Sequence, residues 1–169
     1  MTLYQITVPP LKRLTQAVPR LIDCLNSAEP LTARLAPDSF TAGEHFCVGL
    51  GYVARTILPL TGREVPDLPC DPDPGLIVAL SEDMRFVLDS VTRADFDGAD
   101  TRRITHTAGE ATLTQSGQDY ATLYALPNAH FHVALGYASL RMTGAGVGKA
   151  DLDGFHKYSP GTDFTRPTH

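Results

Sequence analysis

The chain has 169 residues, of which 43% are hydrophobic and 20% are charged, a composition typical of a globular protein with one domain. Its net charge of -5 and its pI near 5.6 argue against nucleic-acid binding, because phosphate backbones require a basic surface. No stretch has the roughly 18 consecutive apolar residues of a membrane span, and residues 1–13 lack the long apolar run of a secretory signal. We therefore expect a cytoplasmic protein that binds neither nucleic acid nor a membrane.

The three cysteines, Cys24, Cys47 and Cys70, are sparse and form no Cys-x-x-Cys pair. This pattern argues against a disulfide framework and against a cysteine zinc cluster. Cys47 lies two residues after His45, but a free cysteine is in most proteins a buried small apolar group. We therefore expect reduced thiols without a catalytic role.

Apolar residues recur at steps of three and four in the first part of the chain, which predicts amphipathic helices. The first helix covers residues 3–28, and its three prolines are expected to interrupt it. The second helix begins after Asp38 as its N-cap residue and ends at Gly62. The third helix opens at Asp73, with Pro74 in the first helical position. The residues expected on its buried face are Leu76, Leu80, Met84, Val87, Leu88 and Val91.

The segment after the third helix changes from helical to strand-like patterning. Threonine is frequent between residues 104 and 114, on both sides of a turn at Gly109, which predicts a short β-hairpin. Ser116 is then the N-cap residue of the fourth helix, which runs to about Arg141.

These elements predict an all-α fold, a bundle of four helices with a short β-hairpin between helices three and four. One domain covers residues 1–155, and a polar tail covers residues 156–169.

The glycine-rich stretch "GAGVGKAD" after the fourth helix does not match a phosphate-binding loop. Three residues rather than four separate Gly144 from the Gly-Lys pair, and Ala150 stands where a Ser or Thr is required. We therefore expect no nucleotide site there.

Two histidines, His130 and His132, flank Phe131 in the fourth helix. A helix turns by about 100° per residue, so the two side chains face nearly opposite directions and cannot both bind one metal ion. We expect His132 to face the interior of the bundle. A second ligand for a metal there must come from another helix, and His45 in the second helix is well placed to supply it.

A polar cluster without a metal explains the same residues. A buried His132 that is hydrogen-bonded to a neighbouring helix needs no metal ion. Asn128 lies one helical turn earlier on the same face, and Tyr120, Tyr124 and Tyr137 carry hydroxyl groups that can donate to the cluster. The residues leave both interpretations open and favour the cluster.

Five stretches spread over the chain carry a resemblance to a known family. They are "Y-x-x-T-V-P" from Tyr4, "LTARLAPDSF", "FDGAD", "SGQDYATLYALPNAHFHVALGYASLR" and "GVGKADLDGF". Together they resemble the bacterial domain-of-unknown-function family DUF1993, which belongs with the DinB-like and YfiT-like four-helix bundles. The resemblance extends from about residue 2 to residue 155. It implies a DinB-like bundle and a homodimer.

Members of that wider superfamily bind a divalent metal through three histidines, one on helix two and two on helix four, and some are thiol-dependent transferases or isomerases. The resemblance places His45 near the helix-two ligand and His132 on a helix-four ligand position. The other helix-four histidine has no counterpart, because Asn128 and Gly136 occupy the positions one turn away. Position 45 is more often glutamine in the family, a further departure from a shared metal role.

Two functions follow from these observations. The favoured one is a small-molecule or partner-binding module whose polar central cleft offers hydrogen bonds from His132, Asn128 and Tyr120. The alternative is a divalent-metal-dependent enzyme of the thiol-dependent transferase or hydrolase type. In it, His45 and His132 would hold zinc, nickel or iron, with Asn128 and Tyr137 around them. The missing third histidine favours the binding module.

Overall fold

The computed structural model describes residues 1–68, 70–159 and 162. The structure is mostly helical, with one two-stranded antiparallel sheet. Its helices are α1 (Leu3–Asp23), α2 (Ala42–Leu60), α3 (Pro74–Asp89), α4 (Gly117–Asp119), α5 (Leu126–Met142) and α6 (Lys149–Asp153), and its strands are β1 (Arg103–Ala108) and β2 (Ala111–Ser116). Among the described residues, no helix combines the length and the apolar character that crossing a membrane requires. Most of the predicted polar tail, residues 156–169, lies outside the described residues.

The helix α2 lies at the centre of the fold and packs against α1, α3 and α5. Four of its large apolar side chains, at i, i+4, i+7 and i+11, are fully buried and form one face of the helix. They are Phe46, Leu50, Val53 and Ile57. Small residues on its other sides, such as Gly49 and Ala54, allow further helices to approach, and both are buried.

The helix α1 runs without a break through its three prolines, so the predicted interruption is wrong. A proline has no N–H, and the carbonyl four residues earlier therefore loses its helical partner. For Pro19 that carbonyl belongs to Thr15, and the hydroxyl of Ser81 in α3 donates to it at 2.5 Å. The bond between the helices replaces the missing bond within α1. The helix ends at Asp23, earlier than predicted.

The helix α2 begins at Ala42, later than predicted, because its N-cap residue is Thr41 and not Asp38. The N–H of Glu44 donates to Oγ1 of Thr41 at 3.1 Å, and the N–H of Thr41 donates to Oε2 of Glu44 at 2.7 Å. This reciprocal capping box satisfies two backbone donors, whereas Asp38 has no such partner among the described residues, so the helix begins after Thr41. The predicted end is confirmed, since Gly62 follows the helix with φ +73°.

The start of α3 is confirmed, and its predicted buried face is confirmed in part, since Met84, Leu88 and Val91 are buried. The carboxylate of Asp73 accepts hydrogen bonds from the N–H groups of Gly75 and Leu76 at 2.8 and 3.1 Å. Leu76, predicted to be buried, is 51% exposed. One position corresponds to about 100° around a helix, and Ile77 faces the core in place of Leu76. The buried residues of α3 are Ile77, Ser81, Met84 and Leu88.

The segment predicted as the fourth helix is divided. Ser116 is its N-cap residue as predicted, and its Oγ accepts from the N–H of Asp119 at 3.1 Å. A π-helical turn, Tyr120–Ala125, then separates α4 from α5, and the short α6 follows in the glycine-rich exit. The number of helices therefore differs from the predicted four.

The helices α2 and α5 approach each other closely at two glycines. A Cβ atom on Gly136 would lie 2.6 Å from Cε1 of Phe46, and a Cβ atom on Gly49 would lie 2.7 Å from Cγ2 of Val133. Phe46 and Val133 are both enclosed in the core. Neither can move aside without disturbing other core side chains.

The substitution Gly136→Ala is expected to destabilise the fold by about 1–3 kcal/mol through overpacking. In an ordinary helix the same change stabilises by about 1 kcal/mol, so the sign of the effect is diagnostic. The midpoint of urea unfolding measures it. Gly146→Ala is the control, because no atom lies within 4 Å of its added Cβ. A Gly136→Ala variant as stable as the wild type would contradict the close approach.

Candidate functional site

His45 on α2 and His132 on α5 lie side by side where these two helices pack together. Their Nδ1 atoms are 3.0 Å apart, and their ring centroids are 5.2 Å apart. Both side chains are buried, with exposed fractions of 2% and 9%. His130 is exposed, as the helix geometry predicts. The structure therefore brings together the two histidines that the sequence singled out.

Burial keeps both imidazole rings neutral. Desolvation lowers the pKa of His132 to about 4, and the neighbouring His45 and Arg55 act in the same direction. Desolvation also lowers the pKa of His45, although the carboxylate of Glu44 opposes this change. Between two neutral rings, one Nδ1 must carry the proton and the other must accept it. The pair is therefore an uncharged hydrogen bond with two alternative tautomer arrangements.

The outer nitrogen atoms of the two rings have different surroundings. The hydroxyl of Ser39 lies 3.3 Å from Nε2 of His45. Nε2 of His132 has no hydrogen-bond partner among the described residues, and it is not sealed from solvent. It carries a proton in one tautomer arrangement and a lone pair in the other. The site thus presents either a donor or an acceptor at one point.

Two exposed phenylalanines, which we call the aromatic rim, flank the histidine pair. Phe40 is 48% exposed and Phe131 is 55% exposed. Their ring centroids lie 5.6 and 6.4 Å from that of His45, and 6.0 and 5.2 Å from that of His132. Exposed aromatic side chains around a neutral polar pair form a surface that suits a ligand with both apolar and polar parts.

The described residues do not complete a three-ligand metal site. Position 136, one turn after His132, is glycine, and the ring of Phe46 fills the space that a side chain there would take. Asn128, one turn before, donates its amide to the carbonyl of Tyr124 at 2.7 Å. No group of three His, Cys, Asp or Glu side chains suited to a metal ion occurs in the described part of the chain. The side chains at the expected ligand positions therefore do not fit the three-histidine metal site that the resemblance implies.

The predicted tyrosines lie apart from the histidine pair. The hydroxyl of Tyr120 donates to the carbonyl of Arg55 at 2.6 Å. Tyr137 packs half-buried at the edge of the core and has no hydrogen bond or ring contact with other described residues. Tyr124 accepts a hydrogen bond from Tyr52, and none of the three tyrosines predicted around His132 makes a ring contact with it among the described residues.

Tyr52 is a site residue that the sequence reasoning missed. Its ring lies against that of His132, with centroids 6.0 Å apart and an interplanar angle of 22°. Its hydroxyl donates to that of Tyr124 at 3.2 Å. Tyr52 follows His45 by two helical turns, a spacing that places both on one face of α2 and that would have indicated it.

Cys47 is unsuited to act as a nucleophile. Its thiol is buried and donates to the carbonyl of Asp71 at 3.3 Å. Burial raises the pKa of this thiol to about 12, with a further contribution from the neighbouring thiol of Cys70. The reactive thiolate is therefore not populated at neutral pH.

Comparison with solved structures identifies the class of fold. The chain is similar to the crystal structure of a DinB family member protein from Shewanella denitrificans, with a TM-score of 0.79 and 24% sequence identity. The similarity covers 93% of this chain and 94% of that chain. The fold is therefore DinB-like.

A family model, the domain of unknown function DUF1993, matches residues 3–152, and the chain belongs to that family. The resemblance noted in the sequence is thereby confirmed. No curated protein matches the sequence.

The stability of the fold is expected to decrease as the pH falls from about 6.5 towards about 4. The unfolded chain protonates its histidines near pH 6.5, whereas the folded chain resists protonation of His132 until about pH 4. Between these values the unfolded state holds more protons, so acidification favours unfolding. The stabilising contribution of the neutral ring is complete above pH 6.5 and is lost below the folded pKa. Urea unfolding midpoints across this range measure the slope.

Substitution of the buried ring tests the origin of that slope. His132→Gln is expected to flatten the dependence of stability on pH, because it removes the group whose pKa differs between the two states. His130→Gln is the matched control, since His130 is exposed on the same helix. Equal slopes in the two variants would show that the buried pair does not cause the pH dependence.

Proposed function

We propose that the chain is a small-molecule-binding protein whose ligand contacts the His45–His132 pair inside the aromatic rim. The observation that carries this proposal is the unpartnered Nε2 of His132 beside two exposed phenylalanines. Because this nitrogen is not sealed from solvent, a ligand can reach it and form a hydrogen bond with it. Convergence of an apolar surface and a few placed polar atoms is typical of ligand sites.

The chemistry of the pair indicates the chemistry of the ligand. Both rings are neutral at pH 7, because burial lowers the pKa of each, and a charged ligand gains no ion pair from them. A hydroxyl group both donates and accepts, and it therefore suits either tautomer arrangement of His132. Phe40 and Phe131 favour an apolar ring next to that hydroxyl. Asn128 and Tyr120, which we expected in the same cleft, already donate to backbone carbonyls.

The alternative is a divalent metal ion held by His45 and His132 in a transferase or hydrolase of the thiol-dependent type. Its support is the 3.0 Å separation of two Nδ1 atoms on neutral rings, since neutral imidazole is the form that binds metals. Against it stands the lack of a third side-chain ligand among the described residues. The ring of Phe46 also closes the position from which such a ligand would come. The binding function therefore takes precedence.

Two further expectations remain predictions. The resemblance implies a homodimer, and the composition implies a cytoplasmic location. Leu76 and Phe86 of α3 are 51% and 76% exposed, and a second copy would find apolar surface there. The binding proposal depends on neither expectation.

A pair of simple probes tests the binding proposal. Phenol is expected to bind more tightly than toluene, because both rings suit the aromatic rim but only phenol can hydrogen-bond to His132. One neutral hydrogen bond contributes about 1 kcal/mol, so the expected preference is about fivefold. Titrations followed by amide chemical shifts measure both affinities and report whether Phe40, His45 and Phe131 respond.

Two variants and a metal analysis complete this test. His132→Phe should remove the preference for phenol, and His130→Phe should retain it. About one equivalent of zinc, nickel or iron in untagged protein purified without chelator, lost in the His45→Ala, His132→Ala double variant, would support the metal alternative instead. Equal affinity for phenol and toluene in metal-free protein would contradict both functions.

A further inference from the structure

A cavity of about 510 Å³ lies between α2, the β-hairpin and the π-helical turn. We call it the tyrosine cavity. Its volume falls within the range of about 300–1,000 Å³ that is usual for small-molecule sites. Its polar and aromatic lining residues include Tyr52, Arg55, Thr107, His106, Tyr120 and Tyr124. The histidine pair and the aromatic rim are not part of its lining.

Arg55 is a cation without a counter-ion in this cavity. It is half-buried, and its guanidinium makes no ion pair or hydrogen bond with the described residues. The residues that line the cavity include no Asp or Glu. Burial raises the pKa of Tyr120 to about 12, and the charge of Arg55 opposes this rise, so the charge reaches the cavity wall. The Cζ atom of Arg55 lies 5.5 Å from the ring centroid of Tyr52, a cation–π contact that uses none of the arginine N–H donors. A partly desolvated cation without an anionic partner favours the binding of an anion.

The three tyrosine hydroxyl groups of the cavity are already committed to other partners. The carbonyl of Thr107 can only accept, so Tyr124 donates to it at 3.4 Å and Tyr52 donates to Tyr124 at 3.2 Å. Tyr120 donates to the carbonyl of Arg55. None of these three hydroxyl protons remains for a ligand. Recognition of an anion therefore rests on the guanidinium.

Three aromatic rings, tilted against one another by 32–61°, form another part of the cavity wall. The ring centroid of His106 lies 4.2 Å from that of Tyr124 and 4.8 Å from that of Tyr120. Both tyrosines belong to the π-helical turn, and such turns within helices occur frequently at functional sites. Nδ1 of His106 is buried without a partner among the described residues, a costly arrangement that packing for stability alone does not explain. An aromatic ligand would make face and edge contacts with these rings.

We propose that the tyrosine cavity binds a small aromatic carboxylate. Its carboxylate pairs with Arg55, because the planar guanidinium matches a carboxylate through two parallel hydrogen bonds. Its ring packs against the aromatic side chains of His106, Tyr120 and Tyr124. This site is separate from the histidine pair, so the proposal does not rest on the function proposed for that pair.

The comparison of benzoate with benzamide tests the proposal on the wild-type chain. The two probes share ring and size, but only benzoate carries the charge. Calorimetric titration is expected to show benzoate binding at least about tenfold more tightly than benzamide. Amide chemical shifts should change at residues 104–107 and 120–124, and those of the aromatic rim should not. No measurable benzoate binding, or equal affinity for both probes, would overturn the proposal.

Substitutions of arginine test whether Arg55 binds the carboxylate of benzoate. Arg55→Gln is expected to weaken benzoate about tenfold or more, because it removes the charged pair. Arg85→Gln is the matched control on the exposed side of α3 and should leave the affinity within about twofold. Benzoate affinity that is unchanged in Arg55→Gln would overturn the assignment.

Two further variants keep the test decisive. Circular dichroism shows whether Arg55→Gln folds. If it does not, Arg55→Lys keeps the charge but loses the planar fork, and it should weaken benzoate by at least about threefold. An unchanged affinity in Arg55→Lys would then contradict the proposal. His132→Phe should leave benzoate binding intact, so a failure at the histidine pair is distinguishable from a failure here.

Discussion

The hydrogen bond between His45 and His132 is the constraint on which the candidate site depends. A buried imidazole destabilises the fold when it is charged and also when it lacks a hydrogen-bond partner. A second neutral ring supplies the hydrogen bond and adds no charge. The pair requires α2 and α5 to lie close together, which Gly49 and Gly136 permit. The same closeness places the ring of Phe46 where a third ligand would project. The packing that forms the pair therefore also removes the space for a three-histidine metal site.

Tyr52 connects the two polar regions of the chain. One face of its ring lies against His132, and its hydroxyl reaches Tyr124 in the tyrosine cavity. Desolvation is the main cause of the low pKa of His132, but the charge of Arg55 contributes as well. An anion bound to Arg55 would offset that contribution and make His132 easier to protonate. Two binding regions on opposite sides of one tyrosine would thus be coupled electrostatically.

Several features that depend on neighbours in sequence were predicted, although the capping box of Thr41 and Glu44 was missed, and features that join distant elements were not predicted. The N-cap at Ser116 and the inward direction of His132 follow from local rules, and both were predicted. The unbroken α1 was not, because the bond lost at Pro19 is replaced by Ser81 of another helix. The tyrosine cavity around Arg55 also escaped prediction, since its walls come from a helix, a hairpin and a π-helical turn. The periodicity of a single helix or strand does not indicate which distant elements pack together around a cavity.

The protonation of the histidine pair is the most direct test of this account. Long-range proton–nitrogen NMR spectra of the imidazole rings, assigned with His45→Gln and His132→Gln, report the charge and tautomer of each ring. The account predicts two neutral rings at neutral pH that share one Nδ1 proton, with His132 titrating well below its ordinary pKa of 6.5. A ring that carries protons on both nitrogens at neutral pH, or that titrates near 6.5, would contradict it.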